Sequence, residues 1–251
     1  EHLGFSGVSE YAAATLEELV DGCSTHGYST TGIPSDQFTV EELFERDTSW
    51  NRADLAERIN DGLHMLNHLG HGSPDYAMKF DNVDVLTYLY NEDHCFVYSQ
   101  TSLAGHFDDF DCWAEHMNIK TDAGAFAVVM NARYGYGAYD STDGPSQRFN
   151  REFWDAVFAE ELPQISKANQ DSKEDNIYRI NESCMRWCTY ELNLFGDPTL
   201  PFSGAEVTGL SVSPRTELDA EGMAGGPFSP SSITYTLENM NDTGIDYTVS
   251  R

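Results

Sequence analysis

Three short apolar runs constrain this chain most. They are "LHMLNHLGHG", "HCFVYSQ" (94–100) and "GAFAVVMNA" (124–132), each bounded by turn residues. Runs of this length, rich in β-branched and aromatic residues, read as strands buried on both faces. The first empties into a glycine loop. Between the second and third lies "FDCWAEHM", which is helical in period. Upstream, "AATLEELVDGCSTHGY", "VEELFERD" and "RADLAERINDG" carry apolar residues at helical spacing, the last closed by Gly62. Downstream, "FNREFWDAVFAEEL" (149–162) is a strongly amphipathic helix, and residues 164–195 read as a further long helical region ending at "LFGDPTLPF". Buried strands joined by helices predict an α/β layer fold with a largely parallel sheet. Ligand sites of such sheets lie beyond the carboxyl ends of the strands.

After Phe202 the composition changes. Residues 204–251 are rich in Ser, Thr, Gly and Pro with alternating β-formers, which predicts the opening strands of a β-sandwich cut short of the ~100 residues such a module needs. The expected organisation is a domain over 1–203 and an incomplete β module over 204–251. The chain starts at Glu1 without a Met and stops at Arg251 inside a strand pattern, so a missing upstream segment and processing at Arg251 are expected.

The charge narrows the choice of partners. In 251 residues there are 14 Lys and Arg against 42 Asp and Glu, a formal net charge of −28. Such a surface repels phosphate backbones and anionic lipid, which argues against nucleic-acid binding and electrostatic membrane docking. Cations or basic peptides are its natural partners; a halo of solvating carboxylates is the plainer explanation. No apolar run approaches the roughly 18–20 residues of a membrane span. With 40 % hydrophobic residues there is material for a core, which argues against global disorder. The five cysteines are an odd number without zinc-type pairing and read as small buried hydrophobes.

Two strand ends carry chemistry. In "LGHGSPD" the glycines let the backbone approach a substrate and free amides for an oxyanion, while His71 has the ordinary titration range of a general base. A glycine turn holding a His without a role is the alternative. His64, His68 and His71 fall at ligand-like intervals, but no Glu follows His64 as a zinc helix requires, and the segment reads as a strand. In "FVYSQTSLAGHFD" a strand ends at Gln100 and Ser102 sits in the turn. Gln100 and Ala104 stand where a hydrolase elbow has glycines. A nucleophile-type residue at one strand end, close to another strand's His, is the geometry of acyl transfer.

The order of "LGHGS", "YSQTSLAGHFD", "AFAVVMNARYGYG" and "FGDPTL" resembles the gingipain family of cysteine peptidases, and the resemblance runs from Glu1 to Arg251. It implies a caspase-like three-layer α/β fold with a mostly parallel sheet, followed by the start of an immunoglobulin-like β-sandwich. It further implies a secreted or cell-surface endopeptidase with a Cys/His dyad. Protein or peptide substrates are implied, with other fragments of the same processed precursor as partners and calcium as a structural ion. Carried over residue by residue, the base falls on His71 and the oxyanion amides near Gly72 and residue 102. The carboxylate that orients the His falls on Glu1, counted back without gaps from "HGY" (26–28), where a frayed terminus is the alternative. For members that cleave after Arg or Lys, an acid at the base of the specificity pocket falls near Ala12, with Glu10 the nearest acid. The segment from Asn131 through Tyr134 and Tyr136 corresponds to the pocket wall.

The departure is Ser102, which stands where the family has its nucleophilic Cys. A thiol ionises with modest help, whereas a hydroxyl is far less acidic and needs a strong, well-oriented base. The resemblance therefore implies a peptidase inactivated at position 102. An engineered change, a decayed enzyme and a natural serine variant each account for it, and the intact surroundings favour the first. The competing function is a non-catalytic, calcium-binding surface or adhesion module on a peptidase-derived scaffold. Clustered carboxylates in "FDDFD" (107–111) and "DSTDG" (140–144) supply the oxygen ligands that calcium prefers.

Overall fold

The computed structural model describes residues 8–202 and, beyond them, the backbone of four short strands. The chain divides into two units, Glu1–Ala205 and Glu206–Arg251. In chain order the larger unit contains α1 (Val8–Glu17), β1 (Cys23–Thr25), β2 (Tyr28–Thr30), α2 (Arg52–Asn60) and β3 (Met65–His68). A small meander follows, β4 (Gly72–Ser73), β5 (Tyr76–Ala77) and β6 (Phe80–Asp81), leading into α3 (Asn82–Tyr88). Then come β7 (Cys95–Ser99), α4 (Trp113–Asn118), β8 (Ala125–Asn131), α5 (Pro145–Phe158), α6 (Ile165–Asp175), α7 (Met185–Glu191) and β9 (Leu192–Gly196).

The central sheet has the order β3-β7-β8-β9. β3 pairs β7 and β7 pairs β8 in parallel, and β9 closes the edge antiparallel to β8. Alternation along β7 builds two cores, because successive side chains leave a strand on opposite faces. Cys95 and Val97 join Leu55, Ile59, Val85, Trp113 and Met117 on the face covered by α2, α3 and α4. Phe96 and Tyr98 join Phe149, Phe153, Trp154, Ile165 and Cys188 on the face covered by α5, α6 and α7. This is a three-layer α/β fold with a mostly parallel sheet, as the sequence predicts.

Helix starts follow local chemistry. Asn51 caps α2 by accepting from Ala53 N, and Asp54 returns a bond to Asn51 N. Asp81 and Asp84 make the same reciprocal pair at α3. α5 begins with Pro145 at its first turn, four residues earlier than its apolar period suggests, because proline is preorganised there.

Two expectations need correcting. "VEELFERD" (40–47) forms no helix. Arg46 is instead held by Glu17 and Asp47 with N–O distances of 2.5 and 2.8 Å, and Leu43 packs on the core, so tertiary contacts override helical propensity. Residues 164–195 are broken into α6, a single 3₁₀ turn at Ile177–Arg179 and α7, and "LNLFG" is the edge strand β9. Burial of Leu192 against the sheet and pairing with β8 decide its state.

In the smaller unit, Leu210–Ser213 pairs antiparallel with Thr236–Asn239, and Glu221–Gly222 with Phe228–Ser229. The rest of the expected immunoglobulin-like module lies outside the described residues. No helix among the described residues is long and apolar enough to cross a membrane.

Candidate active site

The parallel ladder sets His68 opposite Ser99 at the carboxyl ends of β3 and β7. His68 Nδ1 and Ser99 Oγ lie 2.7 Å apart in a buried hydrogen bond, and Gln100 N donates to His68 O at 3.0 Å. Ser99 Oγ also accepts from Thr101 N at 3.2 Å. The strand ends are thus tied together before either chain enters its loop.

Beyond that tie the two loops touch. A Cβ placed on Gly72 would lie 2.5 Å from Thr101 Oγ1 and 2.6 Å from Tyr76 O, so only glycine fits where the His71 loop crosses the Ser102 loop. After Ser102 the chain turns sharply: Leu103 has φ 65°, a conformation that costs a β-carbon residue free energy. Three bonds fix the turn, Leu103 N to Arg133 O at 2.9 Å, Ala104 N to Ser102 O at 2.8 Å and Gly105 N to Asn131 O at 3.0 Å. Gly135 N donates to Ser102 Oγ at 3.1 Å. A donor aimed at this atom favours its anionic form, and would do so for a thiolate as well.

His71, Gly72, Gln100, Ser102, Tyr134, Tyr136 and Ser146 line one cavity of about 460 Å³. The aromatic wall is held from behind. Tyr136 N donates to Ser146 Oγ at 3.0 Å, Ser146 N donates to Tyr136 O at 2.8 Å, and Trp187 Nε1 donates to Tyr134 O at 2.9 Å. Tyr134 and Tyr136 remain exposed on the cavity side, available to stack on a substrate.

The other expected site residues fall elsewhere. Asn131 is buried at the end of β8 and does not line the cavity; its Nδ2 donates to Gln100 O at 3.1 Å, buckling β8 to the loop after β7. Glu10 is exposed in the first turn of α1 and is not among the cavity residues, because α1 turns Ala12 and Ala13 inward instead. Those alanines line a separate, smaller cavity of about 140 Å³ with Trp50, Leu55, His68 and Met78. Glu1 lies outside the described residues.

One buried acid gives no signal in the sequence. Glu191, at the end of α7, is 4 % exposed and accepts from Arg133 N at 3.1 Å. Burial pushes its carboxyl up to about 8, against the hydrogen bonds it accepts. Nearby, burial pushes the Cys188 thiol up to about 12, which makes it inert.

The carboxylate clusters seen in the sequence are largely engaged by cations. Asp108 pairs with Arg133 at 2.6 Å and Asp111 with Lys120 at 2.8 Å. Asp143 holds both Arg148 at 2.8 Å and Arg151 at 2.9 Å. Among the described residues, the set with ligand atoms close enough for one ion is Glu160, Asp171 and Asp175, within 4.8 Å of one another. Burial and mutual repulsion raise the carboxyls of Glu160 and Asp171, and three oxygen donors suit a hard cation such as calcium. His64, His68 and His71 form no such group among the described residues.

Comparison with known proteins places the fold and the family. Residues 6–203 match the sequence profile of Peptidase family C25. No curated protein matches the chain. Among solved structures, it resembles the Arg-specific cysteine proteinase gingipain R (RgpB), with TM-score 0.54 and 19 % identity over 66 % of this chain and 40 % of that one. A complex of Porphyromonas gingivalis RgpB pro- and mature domains gives TM-score 0.53 and 16 % identity over 66 % of this chain and 40 % of that one. A third, described as a protease, gives TM-score 0.52 and 14 % identity over 86 % of this chain and 56 % of the other. The chain therefore spans less than half the length of the two gingipain chains. From residue 6 to residue 203, the chain belongs to peptidase family C25, the gingipain family.

Proposed function

We propose that residues 6–203 form a gingipain-type endopeptidase domain in which residue 102 holds the nucleophile position and His71 is the general base. The observation that carries this reading is the shared cavity of His71 and Ser102, each on the loop leaving one of two paired parallel strands. With a Cys at 102, the thiolate would attack the scissile carbonyl carbon and form a tetrahedral adduct. His71 would take the thiol proton and return it to the leaving amine, and water would then release the acyl group. Backbone amides around Gly72 and residue 102 would receive the oxyanion. With Ser at 102 the same base faces a far less acidic hydroxyl, so the chain as it stands is expected to bind peptides and cleave them poorly.

Preference for Arg or Lys before the scissile bond belongs to the resemblance. It requires a carboxylate facing the guanidinium or ammonium. Glu10 does not supply one in this cavity, and no Asp or Glu is among the described residues that line it. An extracellular location, other fragments of one precursor as partners, and a structural calcium are part of the same proposal. Exhaustive chelation is expected to lower the melting temperature, and Glu160, Asp171 and Asp175 are the described residues that suit the ion. The direct test of the peptidase reading is hydrolysis by the Ser102→Cys protein, blocked by thiol reagents.

A further inference from the structure

Gln100 is 6 % exposed, yet neither its Nε2 nor its Oε1 has a hydrogen-bond partner among the described residues. Buried side-chain amides are rarely left so, and an unmatched donor and acceptor on one group point to a ligand that supplies both. Gln100 lines the cavity that holds His71 and Ser102. Its backbone is fixed on both sides, N donating to His68 O at 3.0 Å and O accepting from Asn131 Nδ2 at 3.1 Å. Gly135 presses on the same carbonyl, since a Cβ there would lie 2.7 Å from Gln100 O. The amide thus starts from a rigid base, so little order has to be created when a ligand arrives.

We propose that the Gln100 carboxamide is the specificity-determining group of this cavity, and that it selects a peptide carrying a carboxamide side chain, Gln or Asn, beside the scissile bond. The inference rests on the peptidase reading and deepens it. Gln100 lies two residues before position 102, so the substrate side chain that reaches it belongs to a residue adjoining the attacked carbonyl. A carboxamide donates to Oε1 and accepts from Nε2, leaving neither atom unmatched. A guanidinium or ammonium only donates and leaves Nε2 unpaired, and no Asp or Glu is among the described residues of the lining to balance its charge. A carboxylate only accepts, leaves Oε1 unpaired and is repelled by a chain of net charge −28. An apolar side chain leaves both atoms unmatched, the situation against which a hydrogen-bonding site discriminates most strongly.

The experiment uses binding, so it does not depend on turnover. Fluorescein-labelled hexapeptides that differ at one residue (Gln, Asn, Met, Lys, Arg or Glu) are titrated against the Ser102 chain by fluorescence anisotropy. The Gln and Asn peptides are expected to bind at least about tenfold tighter than the Met peptide. Gln100→Leu is expected to erase that difference without lowering the melting temperature, because it removes unmatched polar atoms rather than contacts. Gln100→Glu is expected to move the preference to Lys and Arg. Equal affinities across the series, a carboxamide preference that survives Gln100→Leu, or no binding of any peptide each overturn the inference. Hydrolysis of a mixed peptide library by the Ser102→Cys protein separates the two readings. If turnover occurs while the inference fails, the peptidase domain stands without this role for Gln100. If no peptide is cleaved, the peptidase reading fails as well.

Discussion

His71 and Ser102 each stand three residues beyond a pair of residues, His68 and Ser99, that face each other in the parallel ladder of β3 and β7. Parallel pairing makes equal offsets end side by side, and the His68–Ser99 hydrogen bond at 2.7 Å holds the two loops at a common origin. The positions proposed for base and nucleophile are therefore placed by sheet register, and the loops add only fine adjustment. Catalytic groups on such loops inherit the rigidity of the strands beneath them.

The crossing of the two loops depends on Gly72. A methyl group there would lie 2.5 Å from Thr101 Oγ1 and 2.6 Å from Tyr76 O. Gly72→Ala is expected to cost about 1–3 kcal/mol in urea denaturation, typical of an overpacked site. In the Ser102→Cys background it is expected to reduce turnover more than substrate affinity, since it parts His71 from residue 102. Full turnover with unchanged stability would contradict the close approach.

Glu191 makes stability depend on pH in an unusual direction for an acid. Its carboxyl, raised to about 8 by burial, is favoured neutral in the folded protein, and ionises near 4.5 when unfolded. Its contribution is fully present below about pH 4.5 and is lost as pH rises towards 8. Glu191→Gln keeps an acceptor for Arg133 N and removes the ionisation. It is expected to raise unfolding free energy on the order of 2 kcal/mol at pH 8 and to change it little at pH 4.5. Equal effects at both pH values would show that the carboxyl is not held neutral.

Asp143 behaves oppositely. Burial alone would raise its carboxyl, but hydrogen bonds from Arg148 and Arg151 outweigh that and hold it at about 2. The stability it supplies is present above the ordinary carboxylate range and lost as pH falls through about 2. Arg151 is 4 % exposed and its guanidinium lies 3.4 Å from the Tyr28 ring centroid, tying α5 to the β1–β2 hairpin. Asp143→Asn is expected to cost about 3 kcal/mol at pH 7, because it leaves buried guanidinium groups less well paired. The loss should shrink at pH 2, as read by denaturant titration at both pH values.

The sequence makes the strands and the loop that carries His71 legible because each has a local cause. β3, β7 and β8 are unbroken apolar runs, and the glycines around His71 announce a tight loop. β9 is less visible: "LNLFG" follows a helix without a break in apolar pattern, and only its pairing with β8 and the burial of Leu192 decide it. Arg46 likewise decides the state of 40–47 through Glu17, 29 residues away in sequence. At the site, the roles open to Gln100 and Glu191 follow from what surrounds them. An unmatched amide and a buried carboxyl are properties of packing, and neighbouring letters do not encode them. Glu10 shows the converse: it is the nearest acid to the family position near Ala12, but the face of α1 turns it to solvent.

His71 and residue 102 are proposed to form a working acyl-transfer pair once a thiol is in place. Peptide hydrolysis by Ser102→Cys and by Ser102→Cys/His71→Ala, each with and without a thiol-alkylating reagent, tests it most directly. The first protein is expected to turn over peptide in a reaction that alkylation abolishes, and the second to lose about 10²–10⁴-fold, the usual contribution of a general base. No turnover by the Ser102→Cys protein, or turnover indifferent to His71, would contradict it.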